Sequence, residues 1–358
     1  MKKKNKIKII ILGLLAFLFL AIIGFIISFS YFTSPVSKTS KEINIIIDSG
    51  ETIYDIANKL KEADLIKNET VFIYYTKLKK ANNIYAASYY FNQNQNLDQI
   101  IETLLEGGHN ENEIRVTFNE GINMRKIASI IEENTNNSYK DVMNKLKDEK
   151  YINSLIEEYW FLTKDIKNKK IYYPLEGYLF PNTYFFSSKD VTVEEIFKTM
   201  LDEMERKLEP YKEKIEKNKY SIHKLITLAS ITQSEGYNED DFKNIASVFY
   251  NRLEDNTPLG SCVTSYYGVK KEMTEELLIT DINASNAYNT RGDNPSLISV
   301  GPISNPGSKA LDAVFNPIKT DYYFFVSDKN HKLYFTKTNS EHERKISELM
   351  NEGLWYEW

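Results

Sequence analysis

The stretch that most constrains the fold is Ser221–Leu253, SIHKLITLASITQSEGYNEDDFKNIASVFYNRL, which predicts two helices meeting at a short polar joint. In the first, Ile222, Leu225, Ile226, Ala229 and Ile231 recur at helical spacing and predict one apolar face. In the second, Phe242, Ile245, Val248, Phe249 and Leu253 do the same, after an acidic start at Glu239–Asp241 that suits a helix N-terminus. Glu235 and Gly236 stand between them. A glycine just past a helix end predicts a left-handed cap, so Glu235 is expected to project from the last turn of a well-buried helix. Partial desolvation there raises a carboxyl pKa toward the range of a general acid. A solvated helix-end carboxylate is the plain alternative, and this stretch alone leaves both open.

The N-terminus restricts placement. The run Ile9–Phe29 carries no charge and is roughly 21 residues long, enough for a helix across a hydrocarbon core of about 30 Å. Lys2, Lys3, Lys4, Lys6 and Lys8 precede it and put residues 1–8 in the cytoplasm as a basic tail. No small-residue cleavage site follows before Thr33-Ser34-Pro35, so an uncleaved single-pass anchor in the cell membrane is expected, with the remainder extracytoplasmic. The net charge is −5 even with those lysines, and the rest of the chain is more acidic still, which excludes a nucleic-acid surface. A single cysteine, Cys262, allows no internal disulfide.

After a polar linker at 30–42, the run Ile43–Ile47, a turn at Asp48-Ser49-Gly50 and a helix carrying Ile53, Ile56, Ala57 and Leu60 predict a strand–turn–helix unit. Ala86–Phe91 and Asp98–Leu105 read as a further strand and helix. IRVTFNEGINMRKIASII echoes the first unit, with Gly121, Ile127 and Ala128 in place of Gly50, Ile56 and Ala57. Duplication and chance recurrence of a common motif both account for that echo. In Tyr172–Phe186, Pro174, Gly177 and Pro181 rule out one continuous helix, and aromatics fill the gaps.

Several ordered motifs carry a resemblance. LEGYLFPNTY (175–184), LASITQSE followed by IASVFYNRL, Tyr288-Asn289-Thr290, GPISNPG (301–307) and Tyr322–Val326 are similar to the signature elements of the YceG-like family of endolytic murein transglycosylases. The pattern around 43–60 is weakly similar to the LysM-like module that binds N-acetylglucosamine polymers. The resemblance implies an α+β fold: a transmembrane helix at 9–29, a LysM-like α/β module at 43–110, a second small α/β unit and helical connector at 111–170, and a mixed α+β catalytic domain at 171–358. It implies a lyase that cleaves the β-1,4 bond after N-acetylmuramic acid in nascent glycan strands, with Glu235 as acid and then base. It implies no cofactor and no metal. The expected partners are peptidoglycan glycan strands, the cytoplasmic membrane and peptidoglycan synthases. Glu176, Tyr178, Gln233, Tyr288, Asn289, Ser304 and Asn305 are the candidate substrate contacts, since their amide, phenol, hydroxyl and carboxyl groups can orient acetamido and hydroxyl substituents.

Three departures stand out. Gln233 replaces a usual Glu, Leu259-Gly260-Ser261-Cys262 replaces LQSD, and Pro295–Val300 departs from the family's approach to GPI. With no His nearby in sequence to act as its base, Cys262 is read as a small cleft-lining or core residue. Hydrolysis would need a second carboxylate about 5–5.5 or 6.5–9.5 Å from the first, for which Glu176, Glu239 and Asp240 are available. The other reading is a peptidoglycan-binding scaffold with a decayed site, in which case Glu235 should be fully solvated. His342-Glu343 begins like HExxH, but Ile346 takes the place of the second His. His331 and His342 are expected at the surface, and the C-terminal segment through Trp355, Tyr356 and Trp358 is expected to pack back as an amphipathic helix.

Overall fold

The structure is a computed structural model describing residues 2–48, 50–79, 81, 84–107 and 113–355, with the side chains of 2–16 and Glu106 outside the description. The expected boundary at 110–111, and Tyr356 and Trp358, lie outside the described residues. The fold is mixed α+β and divides into two compact units, Met1–Glu113 and Ile114–Trp358.

The first unit runs α1 (Lys2–Thr33), β1 (Glu42–Ile47), α2 (Ile53–Glu62), α3 (Glu69–Leu78), β2 (Ala87–Asn92) and α4 (Leu97–Glu106). The strands pair antiparallel, with Ile45 opposite Tyr89. Gly50 takes φ +88°, the left-handed conformation a turn between strand and helix needs. Thr52 then starts α2 with a reciprocal capping box to Asp55, which satisfies two otherwise orphaned backbone donors. Ile56, Ala57 and Leu60 meet Phe72, Tyr89, Phe91, Ile100 and Leu104 in this unit's own core. Phe29 of α1 packs edge-on against Tyr75 of α3. Among the described residues, no helix is long and apolar enough to cross a membrane, so the structure does not bear out the expected membrane-spanning helix. The first eight side chains of the expected span 9–29 lie outside the described set.

The second unit contains β3 (Ile114–Thr117), α5 (Met124–Asn134), α6 (Tyr139–Lys145), α7 (Glu149–Glu158), β4 (Thr183–Phe186), α8 (Val193–Leu208) and α9 (Lys212–Glu216). It continues with α10 (Ile222–Glu235), α11 (Glu239–Glu254), α12 (Cys262–Gly268), α13 (Ile279–Ile282), α14 (Ser308–Phe315), β5 (Phe324–Ser327), β6 (Leu333–Thr336) and α15 (Asn339–Asn351). β3 pairs antiparallel with β4, Val116 opposite Tyr184, so residues 114–170 share one core with the helices after β4. α10 runs through the centre of that core. Only one apolar face is expected from its sequence, yet every residue from Leu225 to Thr232 is buried. Two of its buried hydroxyls bond within the helix, Thr227 Oγ1 donating to His223 O at 2.7 Å and Ser230 Oγ to Thr227 O at 2.8 Å, while His223 bonds outside it and Thr232 Oγ1 is buried without a partner. α11 and α14 pack against it, and α15 packs on the β5–β6 hairpin through the buried Leu349.

Candidate active site

Glu235 is the last residue of α10, and its side chain is partly exposed. The expected left-handed cap is not formed: Gly236 has φ −108° and ψ 161°, an extended conformation open to any residue. Glycine fits here because a Cβ would lie 2.6 Å from the Phe242 ring. The chain therefore leaves α10 hard against α11, and Asn238 caps that helix by accepting from Asp241 N at 3.0 Å.

Across from Glu235, the dipeptide Gly260-Ser261 leads into α12. The Ser261 hydroxyl donates to Glu235 Oε1 at 2.5 Å. Ser261 is itself pinned, because its N–H donates to Thr290 Oγ1 at 3.1 Å and its carbonyl accepts from Thr264 Oγ1 at 2.7 Å. Gly260 N donates to Thr290 O at 3.0 Å, and Arg291 Nη1 donates to Gly260 O at 3.1 Å. Burial pushes the Glu235 carboxyl above its usual range, while the Ser261 hydroxyl and the Arg291 charge pull it part-way back. The fully solvated carboxylate of the decayed-site reading is not what the chain forms. Cys262, half-buried, opens α12. Burial raises its thiol pKa, against the pull of Arg291, so it stays protonated and unreactive.

The segment Gly301–Gly307 is laid along α10. Ile303 N donates to Ser230 Oγ at 3.1 Å, Ser304 Oγ donates to Ser230 O at 3.0 Å and meets Ser234 Oγ at 3.1 Å, and Gly307 N donates to Gln233 Oε1 at 2.9 Å. A Gln supplies that acceptor as well as the family's Glu would. Asn305 works as a clip. Its Oδ1 accepts from Gly177 N and Leu179 N, each at 3.0 Å, and its Nδ2 donates to Ile122 O and Glu176 Oε1, each at 3.1 Å. Glu176 is sealed in the core and accepts also from Met124 N and from Tyr267 Oη at 2.8 Å. Burial pushes its carboxyl up to about 7 against those donors and Arg125.

Of the expected substrate contacts, Glu176, Tyr178, Tyr288, Asn289, Ser304 and Asn305 are all buried. Tyr178 Oη bonds His223 Nδ1 at 2.8 Å, Tyr288 Oη accepts from Tyr172 N at 2.9 Å, and Asn289 Oδ1 accepts from Ser265 Oγ at 2.8 Å and from Arg291 N at 3.0 Å. These groups are engaged with backbone and side chains of the core; only Gln233 is even half-exposed. Of the carboxylates named as partners for hydrolysis, Glu176 is spent on the clip and Glu239 pairs with Lys243 at 2.6 Å. His342, expected at the surface, is half-buried with its ring stacked on Phe324 at 5.4 Å. Ser261 and Arg291 were not among the expected site residues. The only trace of them in sequence is their position beside motifs, Ser261 in the altered LGSC and Arg291 just after Tyr-Asn-Thr.

A family model of the YceG-like family matches residues 45–348. The chain belongs to the YceG-like family. An endolytic murein transglycosylase of Bacillus subtilis (strain 168) is 40% identical over 312 residues, which cover 87% of this chain and 86% of that one. One of Streptococcus pneumoniae is 29% identical over 372 residues, 98% of this chain and 67% of that protein. A crystal structure of a YceG-like protein from Listeria monocytogenes aligns with a TM-score of 0.61 at 32% identity, over 86% of this chain and all of that one.

Proposed function

We propose that this YceG-like chain is an endolytic peptidoglycan lytic transglycosylase with Glu235 as its single acid–base. The observation that carries the reading is the state of Glu235: a partly exposed helix-end carboxyl, raised by burial and held at one oxygen by Ser261. Protonated, it donates to the glycosidic oxygen between N-acetylmuramic acid and N-acetylglucosamine as positive charge builds at the anomeric carbon. As carboxylate, it then takes the proton from the muramyl C6 hydroxyl, whose oxygen closes the 1,6-anhydro ring. No water is consumed. Of the carboxylates available as a second group, Glu176 is spent in the core and Glu239 on Lys243, which favours this chemistry over hydrolysis.

Two further parts complete the reading. The uncharged run 9–29 behind five lysines supports a single-pass anchor that confines the enzyme to strands beside the membrane, where peptidoglycan synthases work. The strand–helix–helix–strand order of residues 42–92 supports a LysM-like glycan-binding role for that unit. Gln233 is the one expected contact that reaches the site edge. The six buried ones serve by shaping the loops that receive the sugar.

Mass spectrometry of uncross-linked glycan strands treated with the full chain, as wild type and as Glu235→Gln, tests this. Anhydro-ended fragments from the wild type, lost by about 10²-fold or more in the variant, are expected. Reducing-end fragments would mean a hydrolase, and Glu120, exposed with its carboxyl packed against Gly307, would be the first second carboxylate to replace. Retention of glycan without cleavage would favour the scaffold.

A further inference from the structure

Arg291 is fixed close to the acid, and its charge acts on Glu235. Its guanidinium is tied to Gly260 O, and the next residue, Ser261, donates to Glu235 Oε1. Its backbone is equally fixed, since Arg291 N donates to the side chain of the buried Asn289. A second guanidinium lies close to Gly260. Gly260 takes φ +66°, and a Cβ there would lie 3.2 Å from Arg252 Nη2. Arg252 donates to Pro258 O at 2.9 Å and Tyr323 O at 2.7 Å and lies over the Phe324 ring.

Both arginines are bonded to neutral carbonyls. Among the described residues, the arginine ion pairs are Arg125–Glu272 and Arg206–Glu203; Arg252 and Arg291 make none. His342, stacked on the same Phe324, has its Nδ1 buried without a partner, and burial and the two arginines keep the ring neutral. Two guanidiniums without an ion-pair partner among the described residues therefore lie beside Gly260, and Arg291, the exposed one, is the one whose charge acts on Glu235.

We propose that Arg291 is a specificity residue whose guanidinium binds a carboxylate on the muramyl substituent of the glycan. This rests on the reading of the site as a murein lyase. The muramyl ring is the one whose glycosidic bond breaks, so its lactyl ether, or the stem peptide that extends from it, lies within a few ångströms of the acid. A planar donor fork one residue from the acid's own hydrogen-bond partner matches that position. The diphosphate of a lipid-linked strand end sits at the terminus, away from an internal cut.

The test is binding, so it does not depend on turnover. The full chain in detergent micelles, carrying Glu235→Gln to stop cleavage, is titrated with three labelled strand preparations: peptide-free strands with free lactyl carboxylates, peptide-bearing strands with free peptide carboxylates, and peptide-bearing strands with those carboxylates amidated. Adding R291Q is expected to weaken binding about tenfold on whichever carboxylate-bearing preparation is the ligand and to leave the amidated one unchanged. R291K should restore part of the loss. A loss confined to the first preparation assigns the lactyl carboxylate, and one confined to the second assigns the stem peptide. Equal loss on all three, no loss, or no measurable binding in any of them overturns the proposal. Failure of wild type to release anhydro ends would refute the lyase reading and leave this result standing.

Discussion

Replacing Glu176 with Gln should change how stability depends on pH. Glu176 is buried, receives donors from Met124, Tyr267 and Asn305, and has its carboxyl pushed to about 7 from an ordinary 4.5. Above about 4.5 the unfolded chain releases this proton while the folded chain retains it, so the folded form binds more protons. Stability from this group is therefore present at low pH, falls as pH rises from about 4.5 to about 7, and is level above that. A displacement of that size corresponds to roughly 3 kcal/mol across the window. Gln fills the same volume, keeps an acceptor for Met124 N and Asn305 Nδ2, and does not titrate. The three tryptophans, Trp160, Trp355 and Trp358, all lie in the second unit, so urea titrations followed by tryptophan fluorescence report that unit alone. Between pH 4.5 and 7.5 the stability of wild type minus that of Glu176→Gln should fall by about 3 kcal/mol. A difference that stays constant across those pH values would refute the argument, because burial would then not be holding the proton on Glu176.

Gly177→Ala should destabilise the second unit by about 2 kcal/mol or more, since φ is +86° and the new Cβ would lie 2.3 Å from Pro302 Cβ. An unchanged melting temperature would contradict it. Asn305→Ala strips the acceptor from the buried Gly177 N and Leu179 N and the donor from the half-buried Ile122 O, and should cost about 2–4 kcal/mol in urea titration. A selective loss of glycan binding with full stability would instead make Asn305 a ligand.

Local order was legible where it follows from short-range rules. The periodicity of Ile222–Ile231 and Phe242–Leu253, the acidic start of α11 and the apolar run of β1 each dictate an element without help from elsewhere. The end of α10 at Glu235 was legible too, but not its conformation: the glycine after it answers to the Phe242 ring and not to a left-handed cap. Tertiary structure alone decided that β3 pairs with β4, far along the chain, because register between distant strands is set by the core they share. It also decided that Glu176, Asn289 and Asn305 face inward. A polar side chain that can hydrogen-bond a sugar can equally satisfy buried backbone, and only burial separates the two uses. Glu235 was named from its place on a helix, but its pKa is set by burial and by residues 26 and more positions away: Ser261 and Arg291 reach it only after Thr290 and Asn289 have folded their loops together.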